Sequence, residues 1–423
     1  MKRNFWAIVT LLLAAPLAPS TAGAAPHAVA TAPLLMPTPA PNSEPKPAPK
    51  LWYEKLKMRG YVQFRTNQLP SFDHNPKLIN AQGDRSIGEN NNFSLRRARL
   101  ILSGDVHDRV SVYIQPDFAS TIGDQNHVAI LRDLYADVYL DEKKEFRFRV
   151  GQSKIPFGFE NLQSSSNRLP LDRNDAINSA LKDERDIGAF FYWAPGEIRK
   201  RFKHLVDSGL KGSGDYGVLG LGAYNGQTAN RPELNSNLHT VLRLTWPFLF
   251  GSQYVEVGGA GYIGKYTVRL AQPTSGPAIV STADKDTYDD WRAGGSVVVY
   301  PQPFGFQAEW NAGRGPALGL NQTTTIRERP LHGGYAQIMF KYNTESGHTF
   351  IPFSRGTYYE GGKKFESNAP RYSVRELETG VEWQPNPAFE LVLAYNISDR
   401  TSDKHPYLPQ AGHTTRLQIQ INY

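Results

Sequence analysis

The 423-residue chain contains no cysteine, which excludes disulfide frameworks, thiolate zinc sites and cysteine nucleophiles together. Stability must come from packing and backbone hydrogen bonds. The chain is also poor in long apolar runs. Mean hydropathy is −0.47, and beyond the N-terminal segment no uninterrupted apolar stretch reaches the about 20 residues that a membrane-spanning helix needs. If this chain crosses a membrane, it must cross with strands. Charge of one sign is scarce as well: the formal +7 falls to +5 once Lys2 and Arg3, in a segment expected to be removed, are set aside. An excess this small suits nucleic acid, an anionic surface or small anions, and only its placement separates them.

Catalytic signatures are missing too. The ten histidines form no HExxH pair and no GxSxG elbow occurs, so the common hydrolase motifs are absent. The run Gly259-Ala260-Gly261-Tyr262-Ile263-Gly264 has dinucleotide-binding spacing, but no helix or parallel βαβ pattern follows it. Its glycines read as relief of crowding in a curved strand. Asp284, Asp286, Asp289 and Asp290 lack the glycine and terminal glutamate of a calcium loop and read as a hydrated outer loop. The expectation is a chain that is not an enzyme and needs no cofactor or metal.

What the chain does contain favours strands. Aromatic residues make up 12%, with 21 Tyr, 21 Phe and 37 Gly, a mix suited to pleated sheet and tight turns. Residues 1–24 read as a signal peptide: Lys2 and Arg3, an apolar stretch from Phe5 to about Ala18, then Ala22-Gly23-Ala24. Export makes a nucleic-acid partner unexpected. Residues 25–56 form a Pro/Ala-rich linker of polyproline character, as in Pro37-Thr38-Pro39-Ala40-Pro41. From Lys57 to Tyr423 large apolar residues alternate with polar ones, the period of strands whose two faces meet different surroundings. Thr415, Leu417, Ile419, Ile421 and Tyr423 face away from Arg416, Gln418, Gln420 and Asn422, and Phe389, Leu391, Leu393, Tyr395 and Ile397 repeat the pattern.

Alternation alone also fits a soluble sandwich, so the connections decide. Short ones near His107-Asp108-Arg109, Asp141-Glu142-Lys143, Pro247 to Ser252, Pro301-Gln302-Pro303, Asn343 to His348 and Gln384 to Pro387 take turns with long polar ones. The long ones lie near Asn67 to Asn91, Gln227 to Asn237, Arg269 to Thr287, Gly313 to Arg329 and Ser398 to Gly412. This asymmetry belongs to transmembrane barrels, and the count is about sixteen strands. The predicted fold is all-β, a transmembrane antiparallel up-and-down barrel. Ala194 to Gly214 form an unusually long connection on the short-turn side, and 158–186 the longest on the other.

If the apolar face meets lipid, the polar face lines the lumen and sets selectivity. With Val62 and Phe64 outward, Arg59 and Arg65 point in; with Leu100 and Leu102 outward, so do Arg97 and Arg99. With Phe146, Phe148 and Val150 outward, Arg147 and Arg149 point in. A basic side chain facing lipid at mid-depth costs about 2–4 kcal/mol, which favours the lumenal phase. Arg96 falls on the outward phase and must then reach the headgroups. The long loop adds Lys154, Arg168, Arg173, Lys182 and Arg185 to the anion-binding candidates, interspersed with Glu160, Asp172, Asp175, Asp183, Glu184 and Asp186. Asp133, Asp137, Glu309, Glu378 and Glu382 on the polar face imply opposed acidic and basic walls.

The runs Phe93-Ser94-Leu95-Arg96-Arg97-Ala98-Arg99-Leu100 and Val112-Tyr113-Ile114-Gln115-Pro116-Asp117-Phe118 carry a family likeness. So do Leu131-Arg132-Asp133-Leu134-Tyr135-Ala136-Asp137 and Val150-Gly151-Gln152-Ser153-Lys154-Ile155-Pro156-Phe157-Gly158. Together they resemble the phosphate-selective porin O and P family, most closely over Lys57 to Trp193. The resemblance implies a homotrimeric barrel in the outer membrane of a Gram-negative-type cell. It further implies a third loop folded inward and basic residues, with Arg65 and those after Lys154 as candidates, that guide phosphate-like anions. The expected partners are small anions and outer-membrane lipid. Alternatives are a general non-selective diffusion pore, an outer-membrane β-barrel enzyme such as a lipid hydrolase, and a soluble all-β binding protein.

Overall fold

The computed structural model describes residues 51–69, 78–79, 81–87, 93–122, 125–319, 324–402 and 408–423. The signal peptide and most of the linker assigned to 25–56 lie outside these residues. A single turn of 3-10 helix, Trp52–Lys55, precedes the first strand.

Sixteen long strands follow. The first eight are β1 (Lys57–Gln68), β2 (Phe93–His107), β3 (Val110–Ile122), β4 (Gln125–Tyr139), β5 (Phe146–Lys154), β6 (Arg185–Trp193), β7 (Leu219–Tyr224) and β8 (His239–Phe250). The second eight are β9 (Gln253–Thr267), β10 (Thr287–Val299), β11 (Phe304–Leu318), β12 (Thr325–Phe340), β13 (Thr349–Gly362), β14 (Arg371–Asn386), β15 (Phe389–Ser402) and β16 (Leu408–Asn422). Val280–Ser281 and Tyr342–Asn343 are two-residue additions at the strand ends. Each long strand pairs antiparallel with the next, and β1 closes the ring on β16 in the register Tyr61↔Asn422 to Gln68↔Thr415. Closure leaves no sheet edge, which is what a strand protein needs in hydrocarbon, where an unpaired backbone group costs several kcal/mol. Among the described residues no helix is long and apolar enough to cross a membrane.

The sequence alternation becomes the two faces of the barrel. Along β8, His239, Val241, Arg243, Thr245 and Pro247 are buried, while Thr240, Leu242, Leu244, Trp246 and Phe248 are exposed outward. The same phase leaves Phe146, Phe148 and Val150 outward on β5 and buries Arg147 and Arg149. Several strands run further than their polar composition suggests. β11 continues to Leu318 and β15 to Ser402, because cross-strand backbone pairing carries the ladder through Arg314 and through Ser398 to Ser402. The expected loops 313–329 and 398–412 are shortened accordingly.

Among the described residues two connections carry α-helix. The β6–β7 connection holds α2 (Gly196–Asp207), whose Ile198, Phe202 and Leu205 pack with Val298, Tyr300 and Phe159 in one apolar cluster. The β5–β6 connection holds the short α1 (Asp175–Ala180), started by the Asn174 side chain accepting from Ile177 N at 3.2 Å.

Candidate functional site

The site grows from the segment that joins β5 to β6. At its start Lys154 Nζ donates to the carbonyls of Asn161, Leu162 and Gln163 at 3.0, 3.2 and 2.6 Å, which winds the chain back over its own entry. Gly158 adopts φ +74, a left-handed conformation available to glycine at little cost, and Glu309 then accepts from Phe159 N and Glu160 N at 3.1 and 2.9 Å.

From there the segment meets side chains on strands spread around the ring. Arg355 of β13 donates to Glu160 at 2.7 Å, Arg400 of β15 to Asp175 at 2.8 Å, and Arg292 of β10 to Ala176 O and Ser179 Oγ near the end of α1. Asp172 is the most shared acceptor. It takes Arg65 of β1 at 2.6 Å, Arg96 and Arg97 of β2 at 2.9 and 3.4 Å, and Arg416 of β16. Asp84 joins the cluster through Arg65 at 2.6 Å and Arg416 at 2.8 Å. Burial alone would push the Asp172 carboxyl up, but Arg65, Arg96, Arg416 and Arg97 outweigh it and hold the group well below the usual carboxylate range.

At the far end Glu184 gathers a second set. Lys154 stands at 3.1 Å, Arg173 at 3.3 Å, Arg185 at 2.8 Å and Arg168 at 3.7 Å. Here too burial opposes ionisation and the surrounding cations reverse it, keeping Glu184 well below the ordinary range. Arg185 also pairs with Asp133 at 2.9 Å.

The predicted residues therefore fall into distinct settings. Arg65 and Arg97 join the Asp172 cluster; Lys154, Arg168, Arg173 and Arg185 join Glu184. Arg99 pairs with Asp117 at 2.9 Å, Arg149 with Asp137 at 2.7 Å and Arg147 with Asp215 at 3.2 Å. Arg149 also stacks 3.7 Å above the Tyr135 ring. All of these are buried, whereas Lys182 is half-buried and Arg59 is exposed at the short-turn end. Arg96 departs from the outward position expected of it. The β1–β2 register shifts between Gln63 and Phe64, so Gln63 faces Arg97 and Phe64 faces Leu95. This bulge leaves Arg96 without a cross-strand partner, free to turn toward Asp84 and Asp172.

Sequence reasoning missed Arg243, Arg292, Arg355, Arg400 and Arg416 as site residues. Arg416 stands on the polar face of a plainly alternating strand, which was the available signal. Arg292, Arg355 and Arg400 became legible only through their partners in the β5–β6 segment, and Arg243 through Glu256 on β9. Buried acidic groups stand beside arginines of neighbouring strands: Glu378 and Glu376 on β14 take Arg355 of β13 at 2.9 Å and Arg400 of β15 at 2.8 Å, and Glu309 on β11, Glu382 on β14 and Glu390 on β15 are buried as well. Among the described residues no cluster of His, Cys, Asp and Glu could hold a metal ion.

A family model described as phosphate-selective porin O and P matches residues 78–423. No curated protein matches the chain. Among solved structures, the outer membrane channel DcaP of Acinetobacter baumannii is similar at 12% identity and TM-score 0.53, covering 87% of this chain and 97% of that one. OmpF of Salmonella typhi in complex with daunomycin is similar at 11% identity and TM-score 0.54, covering 88% and 98%. OmpT of Vibrio cholerae in its trimer form gives 11% identity, TM-score 0.50 and coverage of 87% and 99%.

Proposed function

The chain belongs to the phosphate-selective porin O and P family and is an outer-membrane channel for passive diffusion, and from that premise we propose that it passes small anions in preference to cations. The observation that carries this reading is the convergence of Lys154, Arg168, Arg173 and Arg185 on the one carboxylate of Glu184. The Asp172 and Asp84 cluster supports it with Arg65, Arg96, Arg97 and Arg416 around two carboxylates. In both places cations outnumber acids, and low-dielectric walls make such an excess felt over the width of a narrow passage. Guanidinium groups also present fixed donor pairs suited to oxyanions, so phosphate-like solutes fit the same groups.

The segment 158–186 acts in this reading as a constriction folded into the lumen. Its partners on β1, β10, β11, β13, β15 and β16 support that role, since strands spaced around a ring share contacts only across its inside. In this reading the channel is a homotrimer formed after removal of the N-terminal signal; the fold it shares with OmpT of Vibrio cholerae, described in a trimer form, supports that assembly. Selectivity is partial, because buried carboxylates are interleaved with the arginines, Glu378 taking Arg355 at 2.9 Å and Glu376 taking Arg400 at 2.8 Å. That interleaving is the observation favouring the second reading, a general diffusion porin.

Reversal potential in a planar bilayer across a potassium chloride gradient, repeated with phosphate competing, tests the proposal. Anion preference with phosphate block is the expected result. Conductance without preference leaves the general porin.

A further inference from the structure

The β6–β7 connection lies on the short-turn side of the barrel but does not stay beneath its own strands. Its helix α2 packs against Val298 and Tyr300 and is then stopped. Ser208 N and Gly209 N donate to His204 O and Val206 O at 2.9 and 3.0 Å, and Gly209 turns the chain at φ +63, a helix end that glycine permits. Gly212 next passes so close to α2 that a Cβ there would stand 2.9 Å from the Leu205 Cβ. This turn carries Leu210, Lys211 and Ser213 inward, and all three are buried.

Lys211 Nζ donates to Glu382 Oε1 of β14 at 2.5 Å, and β14 stands almost opposite β7 on the ring. A contact between them must cross the inside of the barrel. Lys341, beside the β12–β13 turn, holds Ser208 O at 2.5 Å, while Asp215 ties the returning chain to Arg147 of β5 and Arg199 of α2 at 3.2 and 2.8 Å. The segment 158–186 rests on the crossing: Gln163 Nε2 donates to Lys211 O at 2.6 Å and Asn167 Nδ2 to Gly212 O at 2.8 Å. Exposure of the inward side chains divides along the same line. Gln307, Gln337, Glu382 and Glu390, on β11 to β15, are buried, whereas Ser103, Tyr113 and Tyr135, on β2 to β4, are half-buried.

We propose that the β6–β7 connection is a strap across the periplasmic mouth, in series with segment 158–186, that limits the size of solute the channel passes, and that the Lys211–Glu382 pair is its clasp. The strap shuts the β11–β15 side and leaves the β2–β4 side as the way out. Lys211 is the side chain that fixes the crossing to the far wall. Its backbone stands at φ +65, a conformation that residues other than glycine adopt seldom, so the crossing needs that anchor to persist. Both partners are buried, which keeps salt from screening the pair. Without the clasp, Leu210 to Ser213 swing away from β14 and admit larger solutes on that side. This inference rests on the channel being a passive pore and not on its preference for anions.

Lys211→Met combined with Glu382→Gln removes the ion pair and leaves neither charge buried alone. The full-length channel is reconstituted in liposomes, and influx of neutral sugars is read by swelling, which is blind to charge preference. The ratio of raffinose to glucose influx should rise about threefold or more over wild type; an unchanged ratio in channels that still run as a folded band overturns the clasp. The native chain has no cysteine, so Lys211→Cys combined with Glu382→Cys supplies one thiol pair as a second test. Its raised ratio should fall back to the wild-type value when a bifunctional methanethiosulfonate joins the two thiols, and rise again on reduction. Thiols that stay unreactive, or that each take a monofunctional reagent but are not joined by the bifunctional one, overturn the crossing. A joined pair, verified by mass spectrometry, that leaves the ratio unchanged overturns the size limit.

Discussion

Arg65 Nη1 and Asp172 Oδ2 meet at 2.6 Å across 107 residues of chain, joining the first barrel strand to the middle of the β5–β6 segment. Both are buried, and the same carboxylate also takes Arg96, Arg97 and Arg416. Removing one partner of a buried ion pair costs about 3–5 kcal/mol, because the remaining charges stay buried without compensation. Asp172→Ala should therefore loosen the segment, giving larger and noisier single-channel conductance. It should also lower the temperature at which the folded band disappears on an unheated gel.

Glu184→Gln tests the second cluster. It keeps the shape of the side chain and removes the negative charge that Lys154, Arg168, Arg173 and Arg185 share. The chloride-to-potassium permeability ratio should rise roughly twofold or more. A ratio that stays put would remove this cluster from the selectivity argument.

The pH response follows from the same carboxylates. Against the cost of burial, Asp84, Asp172 and Glu184 are all held below their ordinary range by neighbouring cations. A depressed carboxylate contributes stability that is fully present above its unfolded pKa, about 3.9 for Asp and 4.3 for Glu, and lost as pH falls through the folded value. Conductance should hold steady from neutral pH down to that range and become unstable only in stronger acid. Recordings stepped downward in pH should show the change, and Asp172→Asn should show the unstable behaviour already at neutral pH.

Gly158→Ala should destabilise the entry of the segment. Its φ of +74 strains any L side chain, and a Cβ there would run into Glu309 Oε1, the atom that accepts from Phe159 N. A cost of about 1–3 kcal/mol is expected, read as an earlier loss of the folded band on heating.

N-terminal sequencing of the protein extracted from outer membranes should begin at Ala25. A start at Met1 would mean that the apolar stretch from Phe5 is retained.

The face of each strand was legible because a pleated strand in a barrel repeats every two residues and lipid tolerates only one face. That is why Arg97, Arg99, Arg147 and Arg149 could be assigned to the inside from their neighbours Leu100, Phe146 and Phe148 alone. Arg96 was misread because a single-residue bulge inverts the phase, and nothing in the alternation signals a bulge. The helix α2 was visible only as an overlong connection with Lys200-Arg201-Phe202-Lys203-His204. Its apolar face finds Val298 and Tyr300 about a hundred residues further on.

The sequence by itself determined the class of the fold and the two-faced character of every strand, since these depend on local period and on what hydrocarbon excludes. Only the tertiary structure decided which arginine meets which acid. Arg65 reaches Asp172, Arg355 reaches Glu160 and Arg400 reaches Asp175 because closing the ring and laying one segment against it brings distant residues together.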